Sequence, residues 1–313
     1  MDEFLVLSRL VHLAAAMFLF GASLFSLYAD DGLSKRARVR AAFERWLRTT
    51  LLAAAIVALL SALAWWDALA VSMGGGWANG LSGETLAAVL FDTEFGRVWI
   101  WRLLILALLI FVLLLARRGD WTPRIRLLVA GLAAALLVSL AGVGHAAVPE
   151  GTTGAAHRAA EAVHLAAAGV WVGGLVPLGY ALGRASMERA GEWAEYAAQA
   201  LPRFSRVGYF AVSLVLFSGG LIGWLMIGGW PELFTTLYGR VVLAKFFLFS
   251  LMTAIALLNR FYFMPRIAAA RRSTKRAPDP FRLLWRSVMA EQGIALAALA
   301  AASVLGIIQP PTG

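Results

Sequence analysis

The run Val11-His12-Leu13-Ala14-Ala15-Ala16 returns word for word as Val163-His164-Leu165-Ala166-Ala167-Ala168, and in each copy a glycine stands nine positions after the histidine, at Gly21 and Gly173. Both copies lie in apolar stretches where lipid would reject an imidazole that had no work to do. A second echo follows in the same order. Leu90-Phe91-Asp92-Thr93-Glu94-Phe95-Gly96-Arg97-Val98 resembles Leu233-Phe234-Thr235-Thr236-Leu237-Tyr238-Gly239-Arg240-Val241, and Arg102 is answered by Lys245. The chain reads as two halves of one plan, 1–150 and 151–313, within one integral membrane domain.

Composition sets the solvent. Hydrophobic residues make up 61% of the 313 residues, charged ones 15%, and mean hydropathy is +0.76, outside the range of soluble domains. Apolar runs at 4–28, 49–71, 98–116, 125–146, 155–182, 207–228, 239–262 and 287–308 each reach the ~20 residues needed to cross a hydrocarbon core of about 30 Å. Backbone groups in lipid must bond within their own segment, and no ten-residue barrel alternation is present, so every span is predicted to be a helix. The expected fold is all-α, with eight transmembrane helices in two four-helix repeats. Spans 1 and 5, and spans 3 and 7, run in the same direction, so the repeats are parallel.

The net charge of +10 does not describe a nucleic-acid-binding face. Of 28 Lys and Arg, 22 fall in the connections 30–48, 117–126, 184–206 and 260–286, while 72–97, 147–154 and 229–238 hold only Arg97. Basic connections stay cytoplasmic, which puts both termini on the opposite, periplasmic or external side. Asp2 and Glu3 replace the basic start of a cleavable signal peptide. With no cysteine, any metal must be held by His, Met, carboxylate or backbone. No Gly-x-x-x-x-Gly-Lys-Ser/Thr run is present, so this chain is not read as an ATP-driven pump.

All four histidines, His12, His145, His157 and His164, fall in the external halves of their spans. His157, Glu161 and His164 are spaced i, i+4 and i+7. That spacing gathers them within an arc of roughly 60° on one helix face, over about 10 Å of rise. Adjacent members can chelate a metal, but one ion does not easily bridge the outer two. His145 ends span 4, and the short connection brings His157 back opposite it. A shallow layer of His145 and His157 is therefore expected above a deeper one of His12 and His164, with Glu161 between. Imidazole and carboxylate suit Cu(II), Zn(II) or Ni(II), whereas Cu(I) prefers the thioethers of Met17, Met73 or Met226. The alternative for any single histidine is a hydrogen bond to a neighbouring helix.

Arg102 and Lys245 lie about one turn inside spans 3 and 7. Either they snorkel to the interface, or they pair with Glu161, Asp67 or Glu94 and tune a metal ligand. Glu291 marks a cytoplasmic exit or pairs with Arg260 or Arg286. Trp65, Trp66, Trp77, Trp99, Trp101, Trp171, Trp224 and Trp230 are expected mostly as an external aromatic belt. The stretch 186–203 reads as an interfacial amphipathic helix or a solvated linker.

Over nearly its whole length the chain resembles the bacterial copper resistance protein D family (CopD, PcoD). The residues that carry the resemblance are Arg9-Leu10-Val11-His12-Leu13, Gly144-His145-Ala146, His164-Leu165-Ala166-Ala167-Ala168 with Trp171-Val172-Gly173-Gly174-Leu175, Phe204-Ser205, Tyr238-Gly239-Arg240 with Lys245, Asn259-Arg260, Glu291 and Pro310-Pro311. The resemblance implies a bacterial inner-membrane transporter of eight spans, not an enzyme, that takes copper inward from the periplasm, with a separate small carrier resembling CopC as donor. His145 and His157 are then expected to capture the ion, and His12, Glu161 and His164 to accept it. The rival expectation is a haem-binding membrane oxidoreductase with paired histidines as axial ligands, and a third is a copper-binding scaffold that moves nothing.

Overall fold

A computed structural model describes residues 2–29, 37–119, 121–143, 151–188, 191–270 and 280–311, and among them it has no strand. The helices are α1 (Asp2–Tyr28), α2 (Ala37–Met73), α3 (Trp77–Gly80), α4 (Gly83–Phe91), α5 (Glu94–Arg118), α6 (Pro123–Val138), α7 (Gly151–Ala168), α8 (Gly174–Glu188), α9 (Glu192–Ile227), α10 (Trp230–Thr235), α11 (Leu237–Leu258), α12 (Met264–Ala270) and α13 (Pro280–Leu305). Among the described residues eight helical spans are long and apolar enough to cross a membrane, one at each expected position. They overrun the apolar windows: α2 begins at Ala37 and α9 at Glu192. Residues 192–203 are thus the first turns of a spanning helix, not a separate interfacial helix or a linker. Trp193, Tyr196 and Leu201 hold them in place by packing inward.

Threonine caps start three of the helices. Thr93, Thr122 and Thr236 accept from the backbone N–H groups of Gly96, Ile125 and Gly239 at 3.0, 3.3 and 3.0 Å, each satisfying one orphan donor of a first turn. Thr93 and Thr236 also donate back to Val89 and Glu232, both at 2.6 Å, so each ties the short helix before it to the long one after it. Gly96 and Gly239 permit this. A Cβ at Gly96 would strike the carbonyls of Val89 and Leu90, and one at Gly239 would strike those of Glu232 and Leu233.

Two wide π-turns interrupt the spans. Gly169–Gly173 joins α7 to α8, and Asn259–Phe263 joins α11 to α12. Each precedes a proline, Pro177 and Pro265, whose missing N–H leaves the carbonyl four residues earlier, at Gly173 and Phe261, without its helical donor. Both carbonyls lie inside the π-turns, where the altered register absorbs the lost bond.

The histidine-bearing helices form the centre. The most apolar window of α1 is 56% buried and that of Gly151–Glu188 is 67% buried, against 6% for Leu237–Ala269. Helix α1 packs on α2, α6, α8, α13 and the Gly169–Gly173 turn. At that turn Gly21 lies against Gly173, and a Cβ on Gly173 would collide with the Met17 carbonyl. Backbone meets backbone, a contact only glycine allows; without a hydrophobic drive between helices in lipid, such close packing is what holds them.

Candidate functional site

His12 is fully enclosed. Its Nδ1 lies 2.9 Å from the Ala58 carbonyl and 3.2 Å from the Ser61 hydroxyl on α2, and that hydroxyl donates to the Val57 carbonyl at 2.7 Å. An Nδ1–H donating to a carbonyl places the lone pair on Nε2, the tautomer that metal-binding histidines commonly adopt. Nε2 faces Arg102 of α5, which hydrogen-bonds it. The same guanidinium donates to the Leu136 carbonyl at 2.7 Å and the Ser139 hydroxyl at 2.5 Å. Trp65 and Trp99 wall the imidazole, each with its ring centroid 5.9 Å away. Trp99 is held by its Nε1–H bond to the Ala62 carbonyl and by stacking on Phe95 at 4.3 Å. Arg9 lies over Trp65 at 4.5 Å.

His164 meets a similar set of groups from other helices. Its Nδ1 is 3.1 Å from the Ser218 hydroxyl on α9, which donates to the Leu214 carbonyl at 2.5 Å. The ring packs on Gly219, where a Cβ would stand 3.0 Å from Cε1. Lys245 of α11 acts on it electrostatically.

Glu161 lies one turn from His164 on α7, with Oε2 3.7 Å from Nε2 of the buried His157. The other ring nitrogen of His157 has no hydrogen-bond partner among the described residues. The Glu161 carboxylate also acts through space on Arg9, Tyr238 and Lys245, although no Lys245–Glu161 ion pair closes within 4.0 Å. Arg9 lies over Trp65, a wall of the His12 surroundings, and in the field of Glu161.

Several expectations for individual residues are corrected. Arg102 neither snorkels nor pairs with Glu161, Asp67 or Glu94: it is 0% exposed and bound to His12, while Glu94 pairs with Arg97. Glu291 pairs with neither Arg260 nor Arg286 but accepts from Trp171 Nε1 at 2.9 Å and Asn259 Nδ2 at 3.2 Å. Trp65, Trp99 and Trp171 are buried, whereas Trp77, Trp101, Trp224 and Trp230 are exposed as a belt requires. Met17 and Met226 are buried, Met73 is exposed, and Asp67 is half-buried on α2. His145 lies outside the described residues. Among the described residues no three His, Cys, Asp or Glu side chains are grouped to hold a metal ion.

Ser61, Ser139 and Ser218 escaped the sequence reading. Ser61 and Ser218 nevertheless left a signal, as polar residues in otherwise apolar runs, at Leu59-Leu60-Ser61 and Leu216-Phe217-Ser218.

Comparison with known proteins bears on these residues. Residues 1–155 match the family model described as copper resistance protein D-like, N-terminal domain, and residues 198–305 match that of copper resistance protein D. The chain is 34% identical to inner membrane protein YebZ of Escherichia coli, over 96% of this chain and 97% of that one. It is 29% identical to copper resistance protein D of Pseudomonas syringae, over 94% and 93%. Against copper transport protein CutJ of Bacillus subtilis it is 31% identical over 59% of this chain and 34% of that one. No solved structure matches. With eight membrane-crossing helices and a near full-length likeness to an inner membrane protein, this chain is a multi-pass inner-membrane protein and belongs to the copper resistance protein D family.

Proposed function

We propose that the protein carries copper inward across the bacterial inner membrane through two parallel four-helix repeats, 1–150 and 151–313, with both termini periplasmic. The observation that carries this reading is a polar arrangement found twice. His12 and His164 each direct Nδ1 at a serine, Ser61 and Ser218, that is bonded back to the carbonyl four residues earlier, and each has a basic residue beside it, Arg102 or Lys245. Such support for one ring nitrogen leaves the other for a ligand.

In this reading His145 and His157 capture the ion from a separate periplasmic carrier resembling CopC, and Glu161, His12 and His164 accept it. Arg102 holds the metal's place on Nε2 of His12 until a cation replaces it. Met17 and Met226 suit Cu(I), and the imidazoles suit Cu(II). Copper accumulation in cells carrying His12→Ala, His157→Ala or His164→Ala should fall in each, and normal accumulation in all three would sink the copper path. A Soret band in the purified protein that vanishes in His12→Ala or His164→Ala would instead establish the haem reading. Binding without uptake into proteoliposomes would leave a scaffold.

A further inference from the structure

Glu291, on α13, is 2% exposed and lies outside the copper path proposed above. Its two carboxylate oxygens accept from the Trp171 indole and the Asn259 amide, and Asn259 Oδ1 in turn accepts from the Ser287 hydroxyl at 2.6 Å. Both donors are neutral. Both also stand on the π-turns, Gly169–Gly173 and Asn259–Phe263, and such turns occur frequently at functional sites. A cavity of about 150 Å³ adjoins the carboxylate, lined also by Tyr209, Ser213, Thr253 and Arg260, and it is roomy and polar enough to admit water.

A carboxylate enclosed in a membrane protein with neutral donors alone is costly to keep, and such residues mark ion or proton sites by default. The chemistry of the lining selects the ligand. A hard metal cation needs several oxygen ligands. Among the described residues Glu291 is the one carboxylate lining the cavity, both its oxygens already accept N–H bonds, and Arg260 adds a positive charge. Helix α13 packs against α1, α8, α11, α12 and the second π-turn. Among the described residues of these neighbours Arg260 is the one charged side chain lining the cavity, and Tyr209 of α9 is the other titratable group there. On α13 itself, Arg286 and Arg282 lie more than one turn away, toward its start. A proton, which needs a single oxygen, satisfies these constraints.

We propose that Glu291 is a proton-binding site, reached through the cavity beside Arg260 and sensed by Trp171. Taking a proton from cavity water turns one carboxylate oxygen from acceptor into O–H donor. The bond from Trp171 or Asn259 to that oxygen weakens, and the new O–H is free to donate to a cavity hydroxyl or to water. Release returns the proton to water, and no electron moves. Trp171 stands seven residues beyond His164 on one continuous span, on the turn that Gly21 clasps. Protonation therefore acts on the join between the His164 helix and the rest of the bundle.

Infrared difference spectroscopy of the full-length protein in lipid nanodiscs, between about pH 9 and about pH 3, spans the ordinary carboxyl and histidine ranges and tests this without copper present. Its outcome is thus separate from that of the copper reading. The parent should show a carbonyl band of a buried carboxylic acid at low pH. Glu291→Gln should lack that band, and Trp171→Phe should shift its frequency because a donor is gone. Should Glu291→Gln fail to assemble, Trp171→Phe carries the same readout. Difference spectra identical in the parent and each assembled variant overturn the proposal. A carboxylate band assigned to Glu291 that moves on adding sodium or copper salts at constant pH also overturns it, in favour of a metal.

Discussion

Replacing Arg102 with Met tests whether a guanidinium occupies the place of a metal on His12. Arg102 is fully buried and holds three acceptors: the Leu136 carbonyl, the Ser139 hydroxyl and His12 Nε2. Methionine keeps much of the apolar stem and none of the charge. Two of the acceptors do not become orphans, because the Ser139 hydroxyl already donates to the Leu136 carbonyl at 2.8 Å. His12 Nε2 is the atom left without a partner. A hydrogen bond from a charged donor contributes about 1.5–3 kcal/mol, so a metal that must displace Arg102 loses that much, about 10- to 150-fold in affinity. Removing a positive charge next to an incoming cation acts in the same direction. Arg102→Met should therefore bind Cu(II), which imidazole suits and the new thioether does not, about 10- to 150-fold more tightly than the parent in competition with a chromogenic chelator. It should also lose about 1–3 kcal/mol of stability from the unpaired nitrogen, which copper restores in a thermal melt. The gain must vanish in the double variant His12→Ala/Arg102→Met. An affinity equal to or below the parent's refutes the substitution argument and leaves Arg102 as a structural clamp.

At the crossing of α1 and the Gly169–Gly173 turn, Gly21→Val should cost about 1–3 kcal/mol or more, since its Cβ would lie 2.6 Å from the Gly173 Cα, where only backbone is available to yield. Thermal unfolding and size-exclusion profiles in detergent check this against Gly131→Ala on α6, which meets open space and should gain up to about 1 kcal/mol from helix propensity. Lys245→Met removes a cation from the field of Glu161 and His164, so the competition between copper and protons changes and the pH profile of copper binding shifts from the parent's. Copper titrations from about pH 5 to about pH 8, across the ordinary histidine range, decide it; superimposable curves remove Lys245 from the site.

The sequence alone determined how many helices are long and apolar enough to cross the membrane, and it singled out two histidines. Spanning depends on hydropathy summed over a window of about 20 residues, and a sum of that kind survives ignorance of every contact. His12 and His164 stood out because an exact repeat in an apolar run needs no structure to be seen, and the Thr93 and Thr236 caps lay within the second repeated stretch. Which way each helix turns its faces was a different matter. Lipid is as apolar as leucine, so a spanning helix has no solvent-facing stripe to betray its inner side, and Trp65, Trp99 and Trp171 looked the same as the belt tryptophans. Only tertiary packing decided that Arg102 meets His12 across 90 residues and that Trp171 meets Glu291 across 120. Those pairings follow from how closely the backbones approach. Gly21 against Gly173 sets the position of the first histidine helix on the second, and the π-turns ahead of Pro177 and Pro265 aim Trp171 and Asn259 at one carboxylate. A glycine and a proline are visible in a sequence, but the partner each one makes room for is fixed by the fold.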